Sequence, residues 1–322
     1  MRKATTIHFY KKMIALLRNA FVLLDEEGRE EVLKFIMENQ NADGGFRDRG
    51  GRSDLYYSLF GMMMLRAAES RGNGVRGSGH GAEIKKPGSG NPGEGRKERS
   101  ANLALEPYSK SVNLAIEKLK QFAGSQSASR VPGFIERCCL LLLQKELNVK
   151  RFSRMRSLIA LGRSFLKERQ SINLSYRSFV LFLTLNAVFP FPSIFKSMLK
   201  KMLTQTSVDQ NAPCSEVAAE VFLVKMLNYD GTEEQKLLAS FALESGGFKA
   251  FAHLSNADIL STAVALFALN YAGYDLRLIM PSCLDFIQQN YSEGAFLSGD
   301  GDETADVEYT FYGLLALGVL AN

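Results

Sequence analysis

The chain is poor in the residues that staple small folds or gather metals, with four cysteines and three histidines among 322 residues. Cys138, Cys139, Cys214 and Cys283 include no C-x-x-C pair, and a bond between the adjacent two would be strained. A disulfide framework is not expected, and a reducing, cytoplasmic setting is. Long apolar runs are also missing. Residues 179–191 form the most apolar stretch, which is too short for a bilayer and contains Thr184, Asn186 and Pro190. Near the N-terminus, Arg18 interrupts the run 14–24 before a signal-peptide core can form, so no export signal is expected. Alternation of strand type is nowhere sustained, which argues against a sheet-based fold.

What is present is ordinary for a folded protein: 46% hydrophobic and 23% charged residues. The formal charge of +5 is concentrated in one place. Between Ser70 and Ser100 stand seven basic residues, three glutamates, nine glycines and no aromatic residue. Such a stretch cannot bury enough apolar surface to offset the ordering of its backbone, so 70–100 reads as a disordered insertion in one domain made of 1–69 and 101–322. With no aromatics to stack bases between the charges, a nucleic-acid partner is not expected.

Ile7, Tyr10, Ile14, Leu17, Phe21 and Leu24 recur at spacings of three and four, which draws one apolar stripe along a helix. The stripe faces either the core or a helical protein partner. Helical periodicity also covers 29–39, 112–122, 134–146, 154–167, 176–188, 215–227, 233–243 and 282–289. The basic residues from Lys150 to Arg169 fit a solvated outer face, or a surface for an acidic partner.

Three segments repeat one grammar. Gly44-Gly45-Phe46 leads through a polar loop to Asp54 and an apolar run; Gly246-Gly247-Phe248 leads to Asp258; Gly294-Ala295-Phe296 leads to Asp306. The glycines allow a sharp turn, the phenylalanine pins it, and the aspartate caps the next helix. The period from Phe248 to Phe296, extended back to Phe46, predicts about six helical hairpins. The fold class is therefore all-α.

The run Gln40-Asn41-Ala42-Asp43-Gly44-Gly45-Phe46 resembles the Q-x-x-D-G-S-W repeat of squalene-hopene-type cyclases, with Phe for Trp, and the G-G-F turns of protein prenyltransferase β-subunits. Residues 306–317, D-V-E-Y-T-F-Y-G-L-L-A-L, are similar to the helix that carries the cyclase D-x-D-D-T-A motif. The resemblance covers 40–75 and 233–322. It implies an α/α toroid, with inner and outer helical layers around an apolar cavity that takes isoprenoid chains.

For zinc-dependent prenyl transfer, the resemblance places the Asp, Cys and His ligands at Asp258, Leu260 and Tyr309. Leucine cannot ligate and tyrosine replaces imidazole poorly, so zinc is not expected. A divalent cation at the Asp-rich loop 300–306 is a separate option. Against the cyclase motif, Asp306, Glu308 and Tyr309 are the candidate catalytic residues, with Glu308 at the middle acid and Asp306 equally suited to be only an N-cap. Arg49 and Arg52, with Arg47 nearby, match the spacing at which β-subunits hold diphosphate, or form a solvated loop paired with Asp48. Asp54, Tyr56, Tyr57 and Asp258 complete the candidate substrate site. Two functions are carried forward: a zinc-independent prenyltransferase-like or terpenoid cyclase-like protein that binds, and as an enzyme processes, an isoprenoid or similar long apolar substrate, and a catalytically inactive toroid that serves as a protein-interaction module.

Overall fold

The computed structural model describes residues 9–69, 106–128, 130, 131, 133–149, 154–167, 174–188 and 211–321. The 70–100 insertion lies outside the described residues, as do Ile7 and the stretch 189–210. Twelve helices are described, in the order α1 (Phe9–Leu23), α2 (Glu26–Glu38), α3 (Leu55–Ala68), α4 (Glu106–Ser125), α5 (Phe134–Glu146), α6 (Arg154–Lys167), α7 (Leu174–Val188), α8 (Cys214–Met226), α9 (Thr232–Ala239), α10 (Ile259–Ala272), α11 (Met280–Gln289) and α12 (Val307–Leu320).

Six of them form a closed inner ring, in which α3 packs on α5, α5 on α7, α7 on α8, α8 on α10, α10 on α12, and α12 returns to α3. Helices α8, α10 and α12 are apolar on nearly every face, as expected of helices wedged between a layer on the outside and a cavity on the inside. The outer layer comprises α2 on α3, α4 on α3 and α5, α6 on α5, α9 on α8 and α10, and α11 on α12. From α2 to α7 and from α8 to α12 the described helices alternate between the two layers, which is the arrangement that stacked helical hairpins impose.

The repeated grammar builds each turn from an outer to an inner helix. Phe46, Phe248 and Phe296 are almost fully buried, each stabilising its turn by about 2 kcal/mol through lost apolar surface. Their backbone N–H groups donate to Ser58, Thr262 and Thr310, each four residues after the repeat aspartate. Those aspartates cap the inner helices: Asp54 accepts from the N–H groups of Tyr56 and Tyr57, Asp258 from Ser261, and Asp306 from Tyr309. Short antiparallel pairs that alternation did not reveal tie the loops, with Phe46–Arg47 on Ser53–Asp54 and Phe248–Lys249 on Ala257–Asp258. The third repeat differs, its pair joining Tyr291–Ser292 to Ala295–Phe296 as a tight hairpin.

Glycine has two separate uses here. Gly44, Gly246 and Gly294 have positive φ, and a Cβ on each would lie 2.2, 2.1 and 2.4 Å from the backbone of Lys118, Ser282 and Glu31 respectively. Each repeat turn thus lies against the outer helix of its neighbour. For Gly294 that neighbour is α2, so the last turn closes the outer layer onto the first. Seven residues after the repeat aspartate, Gly61 and Gly313 leave room for the rings of Phe46 and Phe296, which a Cβ would approach to 2.6 and 2.2 Å.

Helix α1 belongs to neither layer. It packs on α12, α3 and α7, and Tyr10, Ile14, Leu17 and Phe21 of its apolar stripe are buried in the main core. The backbone of Leu16 passes so close to Gly318 that a Cβ there would lie 1.9 Å from its carbonyl oxygen. The stripe that could have met a helical partner is therefore covered by the chain's own ring.

Candidate functional site

Side chains of the six inner helices and α1 line an apolar cavity of about 250 Å³. At one end α1 contributes Phe9, Tyr10 and Met13 to its wall. The Phe9 ring stands 4.8–5.6 Å from those of Phe179, Phe222, Phe267 and Tyr271, and the Tyr10 hydroxyl donates to the Met62 sulfur at 3.2 Å. Edge-on contacts of this kind bring ring hydrogens against the electron-rich faces of neighbours and add to burial. Cys138 and Cys139 also line the cavity, and burial pushes the Cys139 thiol up, so it stays protonated and unreactive.

The other end is where the repeat aspartates lie, and there ring closure brings the first and last repeats together. The Tyr56 hydroxyl donates to Glu308 Oε1 at 3.0 Å and the Tyr57 hydroxyl to Glu308 Oε2 at 3.3 Å. Tyr56 and Tyr312 hydroxyls lie 3.1 Å apart, and both residues line the cavity together with Tyr176. Burial raises the Glu308 carboxyl, against which the two tyrosine hydrogen bonds act. Burial likewise raises the phenols of Tyr56 and Tyr312, and Tyr176 is pushed up to about 12.

Around this mouth stands Arg49, whose Nε donates to Asp306 Oδ2 at 2.7 Å and whose Nη1 donates to Asp302 Oδ2 at 2.6 Å. Its guanidinium carbon lies 5.3 Å from the centre of the Tyr309 ring. Bonding to Asp306 raises the arginine further above its usual range. Asp302 is held down at about 2, first by Thr304 and then by Arg49. Burial and nearby carboxylates push Tyr309 up to about 12.

Of the residues singled out from the sequence, ring closure gathers Arg49, Tyr56, Tyr57, Asp306, Glu308 and Tyr309. Arg47 turns away, its Nε donating to Asn39 Oδ1 at 2.8 Å, and Arg52 is exposed in the loop. Asp54, Asp258 and Asp306 all cap helices, as their place in the repeat requires. Arg49 already gives two of its five N–H donors to carboxylates of the last repeat, so a diphosphate there would meet a cation whose charge is largely offset. Sequence reading missed Tyr312, although it stands four residues after Glu308 and so shares its helix face. It also missed Phe9 and Tyr176, which carry no motif.

The zinc positions implied by the family resemblance do not form a donor set. Leu260 lies in the cavity wall, Tyr309 faces Arg49, and Asp258 caps α10. Among the described residues no group of three histidine, cysteine or carboxylate side chains is placed to hold a metal, in the 300–306 loop or elsewhere. No described helix is long and apolar enough to cross a membrane.

Comparison with curated proteins and with solved structures yields no match. The family model of the prenyltransferase alpha-alpha toroid domain matches residues 8–113 and 201–322, more than half of the chain. With the closed inner ring of helices, the outer helices against it, the repeated turns and the apolar cavity all present, this chain belongs to the prenyltransferase α/α-toroid family.

Proposed function

We propose that the protein binds an isoprenoid or similar apolar ligand in the central cavity, without zinc. The observation that carries this reading is the cavity itself, lined by apolar side chains from all six inner helices. A hydrocarbon is held there by surface removed from water, at about 25 cal/mol per Å². At about 250 Å³ the space lies below the range of about 300–1,000 Å³ found for drug-sized ligands. With α1 seated, a short chain fits better than a long one. Glu308, raised by burial and beside the wall, is the group we assign to proton handling on such a ligand.

One observation supports the second reading, a toroid that serves only as an interaction module: α1 fills part of the ring with the chain's own Phe9 and Tyr10. Titration with the isoprenoid hydrocarbon myrcene, followed by melting temperature, separates the two. Binding should stabilise the wild-type chain, and stabilisation should vanish in Ala219→Phe, which fills the cavity. Val264→Ala, which enlarges it, should retain the effect. Glu308→Gln should leave hydrocarbon binding intact and reduce any turnover. Absence of stabilisation in both the wild type and Val264→Ala would favour the interaction module.

A further inference from the structure

We infer that the polar end of the cavity recognises a head group that donates hydrogen bonds, an alcohol or an ammonium, and rejects a diphosphate. The inference rests on the proposed binding of an apolar ligand and names the chemistry at that ligand's end.

The argument follows the protons. The Glu308 carboxylate only accepts, and both of its oxygens are taken by phenols: Tyr56 at Oε1 and Tyr57 at Oε2. Each phenol has a single proton. With the Tyr56 proton committed to Glu308, the 3.1 Å bond between Tyr56 and Tyr312 must be donated by Tyr312. Neither hydroxyl then has a proton to offer a ligand. What Tyr56 and Tyr312 present at the cavity is lone pairs, and a lone pair is satisfied only by a donor. Tyr176, also in the wall, adds one phenol, which is too little to neutralise a polyanion.

Charge agrees with proton direction. Glu308, Asp306, Asp302 and Asp300 cluster at this end, and the cation among them, Arg49, is bonded to both Asp302 and Asp306. A diphosphate bonding to the remaining N–H groups of Arg49 would lie beside Asp302, Asp306 and Glu308, whose charges repel it. An alcohol donates to a tyrosine oxygen without disturbing either pair. An ammonium does the same and gains the attraction of Glu308 together with the aromatic faces of Phe60 and Tyr312, whose ring centres lie 5.4 Å apart.

The test titrates the purified full chain with four ligands that share one ten-carbon isoprenoid skeleton: myrcene, geraniol, geranylamine and geranyl diphosphate. Geraniol and geranylamine should bind about tenfold or more tighter than myrcene and than the diphosphate, the scale of one or two added hydrogen bonds. Tyr312→Phe should lower the ratio of geraniol to myrcene affinity about tenfold, and that ratio separates head-group recognition from damage to the cavity or the fold, which would weaken both ligands alike. Diphosphate binding tighter than the alcohol would overturn the inference and leave the apolar cavity in place. Equal binding of geraniol and myrcene would do the same. If none of the four binds, the cavity reading fails and this inference fails with it.

Discussion

Arg49 and Asp306 are 257 residues apart in the chain, yet Nε of one lies 2.7 Å from Oδ2 of the other. Asp306 already caps α12 by accepting from Tyr309, so one carboxylate both starts the last inner helix and fastens it to the first repeat. The pair is asymmetric: the arginine side chain is 40% exposed and the aspartate 6%. Solvent screens the arginine, so Arg49→Ala should cost about 1 kcal/mol. Asp306→Ala loses the cap as well and should cost more, about 2 kcal/mol. Urea unfolding of the two variants orders them, and a larger loss for Arg49→Ala would contradict the dual role of Asp306.

The glycines beneath the repeat phenylalanines give a steric prediction. A methyl group at Gly313 would sit 2.2 Å from the Phe296 ring, a fully buried neighbour with no free space to enter. Gly313→Ala should destabilise the protein by about 1–3 kcal/mol, although alanine is the better helix former. Position 265, seven residues after Asp258, already holds a buried alanine beside a different turn. Ala265→Gly should therefore cost no more than about 1 kcal/mol. Melting temperatures of the two variants check the contrast.

Glu220 makes stability depend on pH. It is buried on α8, and burial first, then repulsion from Glu234, raises its carboxyl from 4.5 to about 7. An acid with a raised folded-state pKa holds its proton more tightly when folded. Its contribution favours the folded state at low pH and declines as pH rises from about 4.5 to about 7. Glu220→Gln should flatten that decline and gain about 1–3 kcal/mol over wild type at pH 8, with little difference at pH 4. Unfolding curves at both values measure it; a constant difference between the two would show that Glu220 titrates normally.

Chelation should leave the melting temperature unchanged, and elemental analysis should find no stoichiometric zinc. Metal held by preorganised ligands stabilises the folded state by mass action, so its removal would lower that temperature. Leu260 offers no donor, and Tyr309 is turned to Arg49. One tightly held zinc per chain would require ligands other than those the family resemblance aligns.

Much of the architecture was legible because it is local. The G-G-F turns, the aspartate caps and the serine or threonine four residues later all act within some sixteen residues of chain, and helices such as 134–146 and 154–167 follow from periodicity alone. That Leu260 falls at a ligand position the resemblance aligns, and has no atom that could ligate, was legible too. The arginine loop was harder. Its spacing suggested a phosphate site, but whether Arg49 is free depends on what faces it, and that is set by Asp302 and Asp306 from the other end of the chain.

The sequence by itself determined the repeat unit, its turns and caps and the apolar character of the inner helices, because turn geometry, capping and hydrophobic period depend on neighbours along the chain; the two layers were implied by the family resemblance. Only tertiary structure decided that α1 enters the ring and not a partner's surface, that Arg49 is paired across the ring closure, and that Tyr56 and Tyr312 share one bond beside Glu308. Each of these joins residues more than 200 positions apart or sets one helix against several. Nothing in local propensity encodes such a choice, which follows from how the repeats close on themselves and fill the space left inside.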